Sequence, residues 1–199
     1  VGDSGTILTS SDGITWHNRT SGSTEMLWQI TYSNSTFVTV GGSGTILTSS
    51  DGTTWTSRTS GVQNFLYQVT HGNNTFVLVG ENGIILTSSD ATTWTPMTSG
   101  TSNDLYGVRY VNSKFMVVGQ FGTILTSSDN GTTWTSRTSP IDGEINRVIY
   151  SNNTFLAVAT GGKIITSSDG ISWTSRTSGT SNYLYDVVFG NSTFVTVGL

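Results

Sequence analysis

Apolar and polar residues alternate along the chain in short runs that glycine, asparagine, serine and aspartate separate. Four such runs follow one another in a representative stretch, at Leu105–Val111, Lys114–Gly119, Gly122–Ser128 and Thr132–Ser139. Alternation with many β-branched and aromatic residues is typical of β-strands, and no helical period lies between the runs. We label these strands A to D. The connections are only a few residues long, so the runs predict a four-stranded antiparallel meander.

This four-strand unit occurs five times, with a period of roughly 40 residues between equivalent positions. One tryptophan marks each copy, namely Trp16, Trp55, Trp94, Trp134 and Trp173. An SSD tripeptide precedes each tryptophan, and its aspartates are Asp12, Asp51, Asp90, Asp129 and Asp169. The first residues of the chain read as a C–D pair and the last as an A–B pair. The two ends are therefore complementary halves of one unit.

A single meander cannot bury both of its faces, whereas copies stacked around an axis cover one another. The sequence therefore predicts an all-β fold, a five-bladed β-propeller in one domain over residues 1–199. Four blades are expected at about residues 25–60, 64–99, 103–139 and 143–178. The fifth blade is expected to combine residues 182–199 with residues 1–21. In it, the C-terminal A–B strands would pair with the N-terminal C–D strands and close the ring.

Composition and charge narrow the classes of function. With 8 Lys+Arg against 12 Asp+Glu, the net charge of −4 provides no basic stripe for nucleic acid or anionic lipid. The chain has no cysteine, which excludes disulfides, thiolate metal sites and thiol nucleophiles. No apolar run reaches the roughly 20 residues that span a bilayer. We expect no nucleic-acid partner, no membrane insertion, no cofactor and no metal.

The turn between strands C and D resembles the Asp-box, or BNR, repeat of sialidases, sortilin-type ectodomains and propellers like the photosystem II assembly factors. Its pattern, S-x-D-x-G-x-T-W, is matched in full by residues 127–134, and the other four copies are one residue shorter. Ala91 replaces the glycine in one copy, which puts the need for a positive backbone angle there in doubt. The resemblance implies turns in which the aspartate accepts backbone hydrogen bonds and the tryptophan covers the turn. We expect the ten Asp-box residues to be structural.

The sequence predicts no enzyme. Glycosidase chemistry needs two carboxyl groups about 5 to 10 Å apart, which aspartates spread around a ring do not supply. The sialidase family also needs an arginine cluster on the propeller axis, whereas four arginines here share a position on the outermost strand, Arg19, Arg58, Arg137 and Arg176. Only Arg109 and Arg147 lie on inner strands. His17 and His71 are far apart in the repeat, so neither a triad nor a metal cluster is indicated.

The copies differ most in the D–A and B–C loops, which share one face of the predicted disc. Loops that vary on a constant scaffold are where binding residues usually collect. An aromatic residue opens strand A in four copies, at Trp28, Tyr67, Tyr106 and Tyr185, with Asn146 as the exception. Further candidates lie in the same loops, Glu81, Asp104, Gln120 and Phe121. Aromatic residues at a repeated position also commonly fill the space between blades, so both interpretations stay open.

A flat ring beside amide and carboxylate groups suits a sugar, which stacks its apolar face on the ring. The sequence therefore favours a non-catalytic, lectin-like module that binds glycans or a surface protein as a monomeric disc. Tachylectin-type lectins resemble it in blade number only. Two alternatives remain, a protein-interaction platform, as the assembly-factor resemblance implies, and a ligand-free ring that was amplified or engineered. An extracellular, cell-envelope or virion setting, such as a phage tail, is expected, with the chain a processed or excised segment.

Overall fold

The computed structural model describes residues 1–199 and contains twenty β-strands and five short 3-10 turns. The strands are β1 (Ile7–Thr9), β2 (His17–Arg19), β3 (Leu27–Ser33), β4 (Thr36–Gly41), β5 (Ile46–Ser49), β6 (Thr56–Arg58), β7 (Leu66–Gly72), β8 (Thr75–Gly80), β9 (Ile85–Ser88), β10 (Thr95–Met97), β11 (Leu105–Val111), β12 (Lys114–Gly119), β13 (Ile124–Ser127), β14 (Thr135–Ser136), β15 (Ile145–Ser151), β16 (Thr154–Ala159), β17 (Ile164–Ser167), β18 (Thr174–Arg176), β19 (Leu184–Gly190) and β20 (Thr193–Gly198). The 3-10 turns are Asp3–Gly5, Gly42–Gly44, Glu81–Gly83, Gln120–Gly122 and Thr160–Gly162. None of these turns is long or apolar enough to cross a membrane.

The predicted meander is confirmed. Strands β3–β6, β7–β10, β11–β14 and β15–β18 form four antiparallel four-stranded sheets in sequence order. We call these sheets blades 1 to 4. Strands β1 and β2 form an N-terminal half-blade, and β19 and β20 form a C-terminal half-blade. The chain is an all-β propeller fold, as the repeat predicts.

Asparagine directs the turn between strands A and B. In blade 2 this turn contains Asn73 and Asn74, with φ values of 46° and 58°. Two successive residues with positive φ define the type I′ turn, whose twist matches that of a β-hairpin, and asparagine tolerates this conformation well. The equivalent residue pair has positive φ in every copy. The recurrent asparagines therefore serve the fold.

The core lies between neighbouring blades. Between blades 2 and 3, Val77 and Val79 of β8 pack against Val108 of β11 and Val117 of β12, and all four side chains are buried. The other interfaces between blades use the equivalent positions. Each blade thus needs a neighbour on either side to bury its apolar surface.

The five inner strands lie side by side around one axis. Strand β7 packs between β3 and β11, and β15 packs between β11 and β19. No comparable packing joins β19 to β3. The inner strands consequently form an arc whose concave side faces a central funnel.

The fifth predicted blade is not formed as one sheet. We expected residues 182–199 to pair with residues 1–21, yet β19–β20 and β1–β2 remain separate two-stranded sheets. The physical reason lies in the spacing of the blades. Each blade is fixed on the next by the same close valine contacts, and these steps leave the two ends of the arc apart, with Val197 and Leu8 exposed.

Candidate functional site

The funnel is built from the first residues of the inner strands. Each inner strand carries a β-bulge between its first and third residues, for example between Leu105 and Gly107. A bulge disrupts the ladder locally and redirects the adjacent side chains. The second residues of these strands are Trp28, Tyr67, Tyr106, Asn146 and Tyr185, and all five line a shared cavity of about 550 Å³. The bulges therefore turn a repeated strand position into a ring of side chains at the axis.

Three of the aromatic side chains form a row across successive blades. The rings of Trp28 and Tyr67 meet edge to face with centroids 5.9 Å apart, and those of Tyr67 and Tyr106 do so at 5.4 Å. Such geometry places the positive edge of one ring on the negative face of the next. Trp28 is nevertheless 55% exposed, so much of this row is open to the cavity.

The phenols of this row are held in their neutral form. Burial, followed by the charges of Glu81 and Asp104, raises the pKa of Tyr67 well above its usual range. Burial and the charge of Glu144 also raise the pKa of Tyr106. Neutral phenols donate hydrogen bonds and stack, but they are poor nucleophiles.

Amide groups occupy one part of the funnel wall. The amide oxygen of Gln29 accepts a hydrogen bond from Val69 N at 3.1 Å, and that of Gln68 accepts one from Val108 N at 2.9 Å. Asn146 donates through Nδ2 to the carbonyl oxygen of Leu184. These bonds fix the side chains across blade boundaries, and Gln29 also donates through Nε2 to the carbonyl oxygen of Ile30 at 2.6 Å.

Charged groups occupy the wall near blade 4. Arg147 Nε lies 2.9 Å from Asp186 Oδ1, an ion pair without a well-aligned N–H···O hydrogen bond. Arg109 is partly buried, and its buried Nε has no hydrogen-bond partner. Burial and the charge of Arg147 lower the pKa of Arg109, while Asp186 opposes this change. Arg147 is thus the guanidinium group that pairs with the carboxylate, and its charge disfavours that of Arg109.

The four loop candidates lie outside the cavity wall, and three of them brace the loops. Glu81 accepts a hydrogen bond from Phe65 N at 3.0 Å, and Asp104 accepts one from Asn82 N at 2.9 Å. Gln120 accepts a longer bond from Asp104 N at 3.4 Å. Phe121 is 69% exposed at the tip of its 3-10 turn, with a φ of 52°. These residues form the rim of the funnel.

The C–D turns on the opposite face are braced by their aspartates. Asp51 Oδ1 accepts hydrogen bonds from Thr53 N and Thr54 N, both at 2.8 Å, and from Ser49 Oγ at 2.9 Å. These bonds lower the pKa of Asp51 to about 2. Three further aspartates share this value, Asp12, Asp129 and Asp169, and the pKa of Asp90 is also lowered. The aspartates therefore stabilise the C–D turns by accepting hydrogen bonds within them.

Ala91 corrects one expectation about these turns. Its φ is 60°, close to the 71° of Gly52 at the same position of another copy. The left-handed conformation is therefore kept even without glycine, and the doubt raised by the sequence was wrong. The methyl group of Ala91 is fully buried in the core between blades 1 and 2. Its packing offsets part of the backbone strain.

The outer-strand arginines lie at the rim of the disc, away from the funnel. Arg58 Nε donates to Thr48 Oγ1 at 2.8 Å, which joins strand D to strand C within blade 1. Arg19, Arg137 and Arg176 make the equivalent bond in their copies. They are thus not assembled into an axial cluster.

Sequence reasoning missed the polar funnel residues Gln29, Gln68, Glu144, Arg147 and Asp186. Four of these are the third residues of their inner strands, where the copies carry Gln, Gln, Gly, Arg and Asp. A position that carries four residue types in five copies has no clear repeat signal. The available sequence signal was that this position directly follows the repeated aromatic position.

Solved structures with the same fold include two of YCF48. The structure described as YCF48 bound to D1 peptide is 17% identical, with a TM-score of 0.77, over 100% of this chain and 70% of that chain. YCF48 from Cyanidioschyzon merolae is 16% identical, with a TM-score of 0.70, over 97% of this chain and 72% of that chain. A GH74 enzyme of Niastella koreensis, 18% identical, has a TM-score of 0.55 over 92% of this chain and 32% of its own. At these identities the likeness concerns the fold alone.

A search of curated proteins found no match to the sequence. A family assignment comes from the sequence profile of the DUF6242 beta propeller domain, which matches residues 30–142. This match covers more than half of the chain and includes the funnel residues Tyr67 and Tyr106. The chain belongs to the DUF6242 beta propeller domain family.

Proposed function

We propose that the chain is a non-catalytic binding module that takes its ligand in the central funnel. One observation carries the proposal: aromatic side chains from four separate sheets, Trp28, Tyr67, Tyr106 and Tyr185, line a single cavity together with amide and charged groups. Concave sites that combine a few apolar surfaces with convergent polar groups are typical of ligand binding. The funnel opens on the face that carries the D–A and B–C loops, which vary most between copies.

The chemistry of the wall supports binding without catalysis. Tyr67 and Tyr106 have raised pKa values, which disfavours a phenolate nucleophile. Asp186 is paired with Arg147, so its carboxylate is engaged by a cation. The five Asp-box turns support assignment of the repeat to the BNR type. They lie on the opposite face and stabilise the fold.

The ligand class that we propose first is a glycan displayed on a surface. Sugar rings present apolar faces that stack on aromatic rings, and their hydroxyl groups bond to amides and carboxylates. Gln29, Gln68 and Asn146 supply such amides next to the aromatic row. Several weak contacts of this kind gain strength where many glycans are displayed together.

A glycan array and two variants test this proposal. Trp28→Ala should weaken binding of any glycan that is captured by about fivefold, because a stacking contact contributes on the order of 1 kcal/mol. Tyr106→Phe should keep stacking and lose only the hydroxyl contact. Trp16→Ala is the matched control, since Trp16 is similarly exposed, at 58%, on the opposite face. If the unmodified protein bound no glycan on a broad array, glycan binding would be refuted.

An extended peptide is the second candidate. One observation favours it: the chain aligns over its whole length with a structure described as YCF48 bound to a peptide. The charged groups of Arg147 and Asp186 in the cavity wall also suit the backbone and carboxylate groups of a peptide. Pull-down from a peptide library, with the Trp28, Tyr106 and Phe121 side chains each replaced by alanine, tests this alternative. The peptide would be favoured if the protein captured a peptide, if the Trp28→Ala variant did not, and if no glycan on the array were bound.

A further inference from the structure

The two ends of the arc expose apolar side chains that are buried everywhere else in the repeat. Val197 of β20 is 60% exposed, whereas its counterparts in β4, β8, β12 and β16 are 0% exposed. At the other end, Leu8 of β1 is 47% exposed, whereas its counterparts in β5, β9, β13 and β17 are at most 2% exposed. Ile30 of β3 is 36% exposed and its counterparts at most 3%. The sequence thus provides apolar surface at both ends that the arc leaves uncovered.

The same two ends also have unpaired strand edges. In blade 1, strand β4 pairs with β3 on one side and β5 on the other, with Val38 opposite Thr48 and Val40 opposite Ile46. Strand β20 pairs only with β19, and β1 pairs only with β2. An unpaired edge is a template for another strand, and the apolar residues beside it specify which face that strand must cover.

Elsewhere in the molecule, a neighbouring blade covers the equivalent surfaces. Val77 and Val79 are covered by the next blade, and Val108 is covered by the preceding blade. The exposed faces continue these interfaces with the same residue types at the same positions. The surface chemistry therefore fits another blade of this repeat.

The share of the YCF48 chain that aligns indicates how many blades would close the ring. All five units of this chain superpose on 70% of the chain in the first YCF48 structure. At this share, the whole of that chain has room for seven units of the same size. A TM-score of 0.77 over the whole of this chain indicates that its blades follow one another much as the units of that chain do.

We propose that the two open faces bind a two-blade segment of the same repeat, which converts the arc into a closed ring of seven blades. The segment begins with a C–D pair that completes the sheet of β19 and β20. It continues through one full blade and ends with an A–B pair that completes the sheet of β1 and β2. In this ring Val197, Leu8 and Ile30 are buried like their counterparts.

Extension of the chain with its own repeats tests the proposal. Residues 121–198 are appended after Leu199, which continues the repeat in register and adds two units. We expect a monomer whose melting temperature is about 10 °C or more higher, because the added interfaces bury several apolar side chains. Hydrogen exchange at the outer edges of β1 and β20 should slow by about a hundredfold or more. Appending residues 161–198 adds only one unit and is the matched control, in which the new C–D pair should protect the edge of β20 but the edge of β1 should stay unprotected.

Val197→Lys provides a test that depends less on folding of the extended chain. In the 199-residue protein this side chain is solvent-exposed, so the melting temperature should change by less than about 2 °C. In the two-unit extension the charge would be buried, and most of the gain in melting temperature should be lost. The proposal would be overturned if one added unit raised the melting temperature as much as two. It would also be overturned if the edges of β1 and β20 were protected in the monomeric 199-residue chain, which would mean that five blades close. Protection that appears only when this chain dimerises would instead show that a second copy covers the edges.

Discussion

The amide oxygen of Gln68 accepts a hydrogen bond from the backbone N–H of Val108, 2.9 Å away in the next blade. Gln29 makes the same bond to Val69 N at 3.1 Å. The inner strand of a blade has one edge that faces the axis and lacks a strand partner, so its N–H groups need other acceptors. The two glutamines thus join blades by hydrogen bonds as well as by apolar packing.

Replacement of Gln68 by leucine should destabilise the protein by about 1–3 kcal/mol, because the variant leaves a buried N–H without an acceptor. Gln68 is itself buried, whereas Gln29 is partly exposed, so Gln29→Leu should cost less. Urea denaturation of both variants measures the difference. An unchanged unfolding midpoint for Gln68→Leu would mean that water in the funnel replaces the lost acceptor.

The glycines of the C–D turns provide a graded series of alanine variants. Gly13 has a φ of 72° and no neighbour within 4 Å of an added Cβ, so Gly13→Ala should cost only the left-handed backbone, about 1–2 kcal/mol. Gly170→Ala should cost more, because its Cβ would lie 2.9 Å from Met116 Cε and 3.3 Å from Phe155 Cζ. Thermal unfolding of the two variants gives the order.

Ala91→Gly is the reverse substitution and the control for that series. It relieves a backbone cost of similar size but loses a buried methyl group that contributes about 0.8 kcal/mol. The two terms are opposed, so we expect a change of less than about 1 kcal/mol in the free energy of unfolding. A large loss on Ala91→Gly would show that packing, rather than the backbone, dominates at this turn.

The strands were predictable because each one has to satisfy the same local pattern. The run Gly122–Ser128 contains β13 at Ile124–Ser127, and Thr132–Ser139 contains β14 at Thr135–Ser136. Closure was not predictable in the same way. Five similar copies specify that blades stack, but the rotation between blades depends on how side chains such as Val79 and Val108 interlock. The period of the sequence does not encode that angle.

The candidate site was predictable only where it repeats. Trp28, Tyr67, Tyr106 and Tyr185 recur at one strand position, and the structure brings them to one cavity. Arg147 and Asp186 could not be found in this way, because they occupy a position with no common residue type. Glu81 and Asp104 were selected for lying in variable loops, where they hold neighbouring backbone amides.

Stability should fall in acid because of the C–D turns. The pKa of Asp51 is about 2 in the folded protein and 3.8 ordinarily, so the unfolded chain binds more protons between these values. The stabilisation is therefore complete above about pH 5 and is lost as the pH falls towards 2. Denaturation midpoints across this range measure the slope. Asp51→Asn should reduce this slope, because the variant has no carboxylate to protonate at this turn.

His71 should add a second pH dependence at milder acidity. Its Nδ1 lies 2.8 Å from Ser33 Oγ in the preceding blade, and its ring packs on Phe76 with centroids 4.4 Å apart. Burial lowers the pKa of His71 below its ordinary 6.5. Just below this pH the unfolded chain binds a proton at His71 that the folded protein does not bind. The contribution of neutral His71 is thus complete above the ordinary pKa of 6.5 and is lost as the pH falls below it towards the lowered pKa of the folded protein.

His71→Tyr isolates this effect, since tyrosine occupies the same strand position at Tyr32, Tyr110 and Tyr150. The variant should fold, and its free energy of unfolding should lose the decline between about pH 7 and 5 while the steeper loss near pH 3 remains. The two declines are separable because they arise from different groups on different strands. A variant that kept the decline near pH 6 would show that another group, rather than the imidazole between blades 1 and 2, takes up the proton.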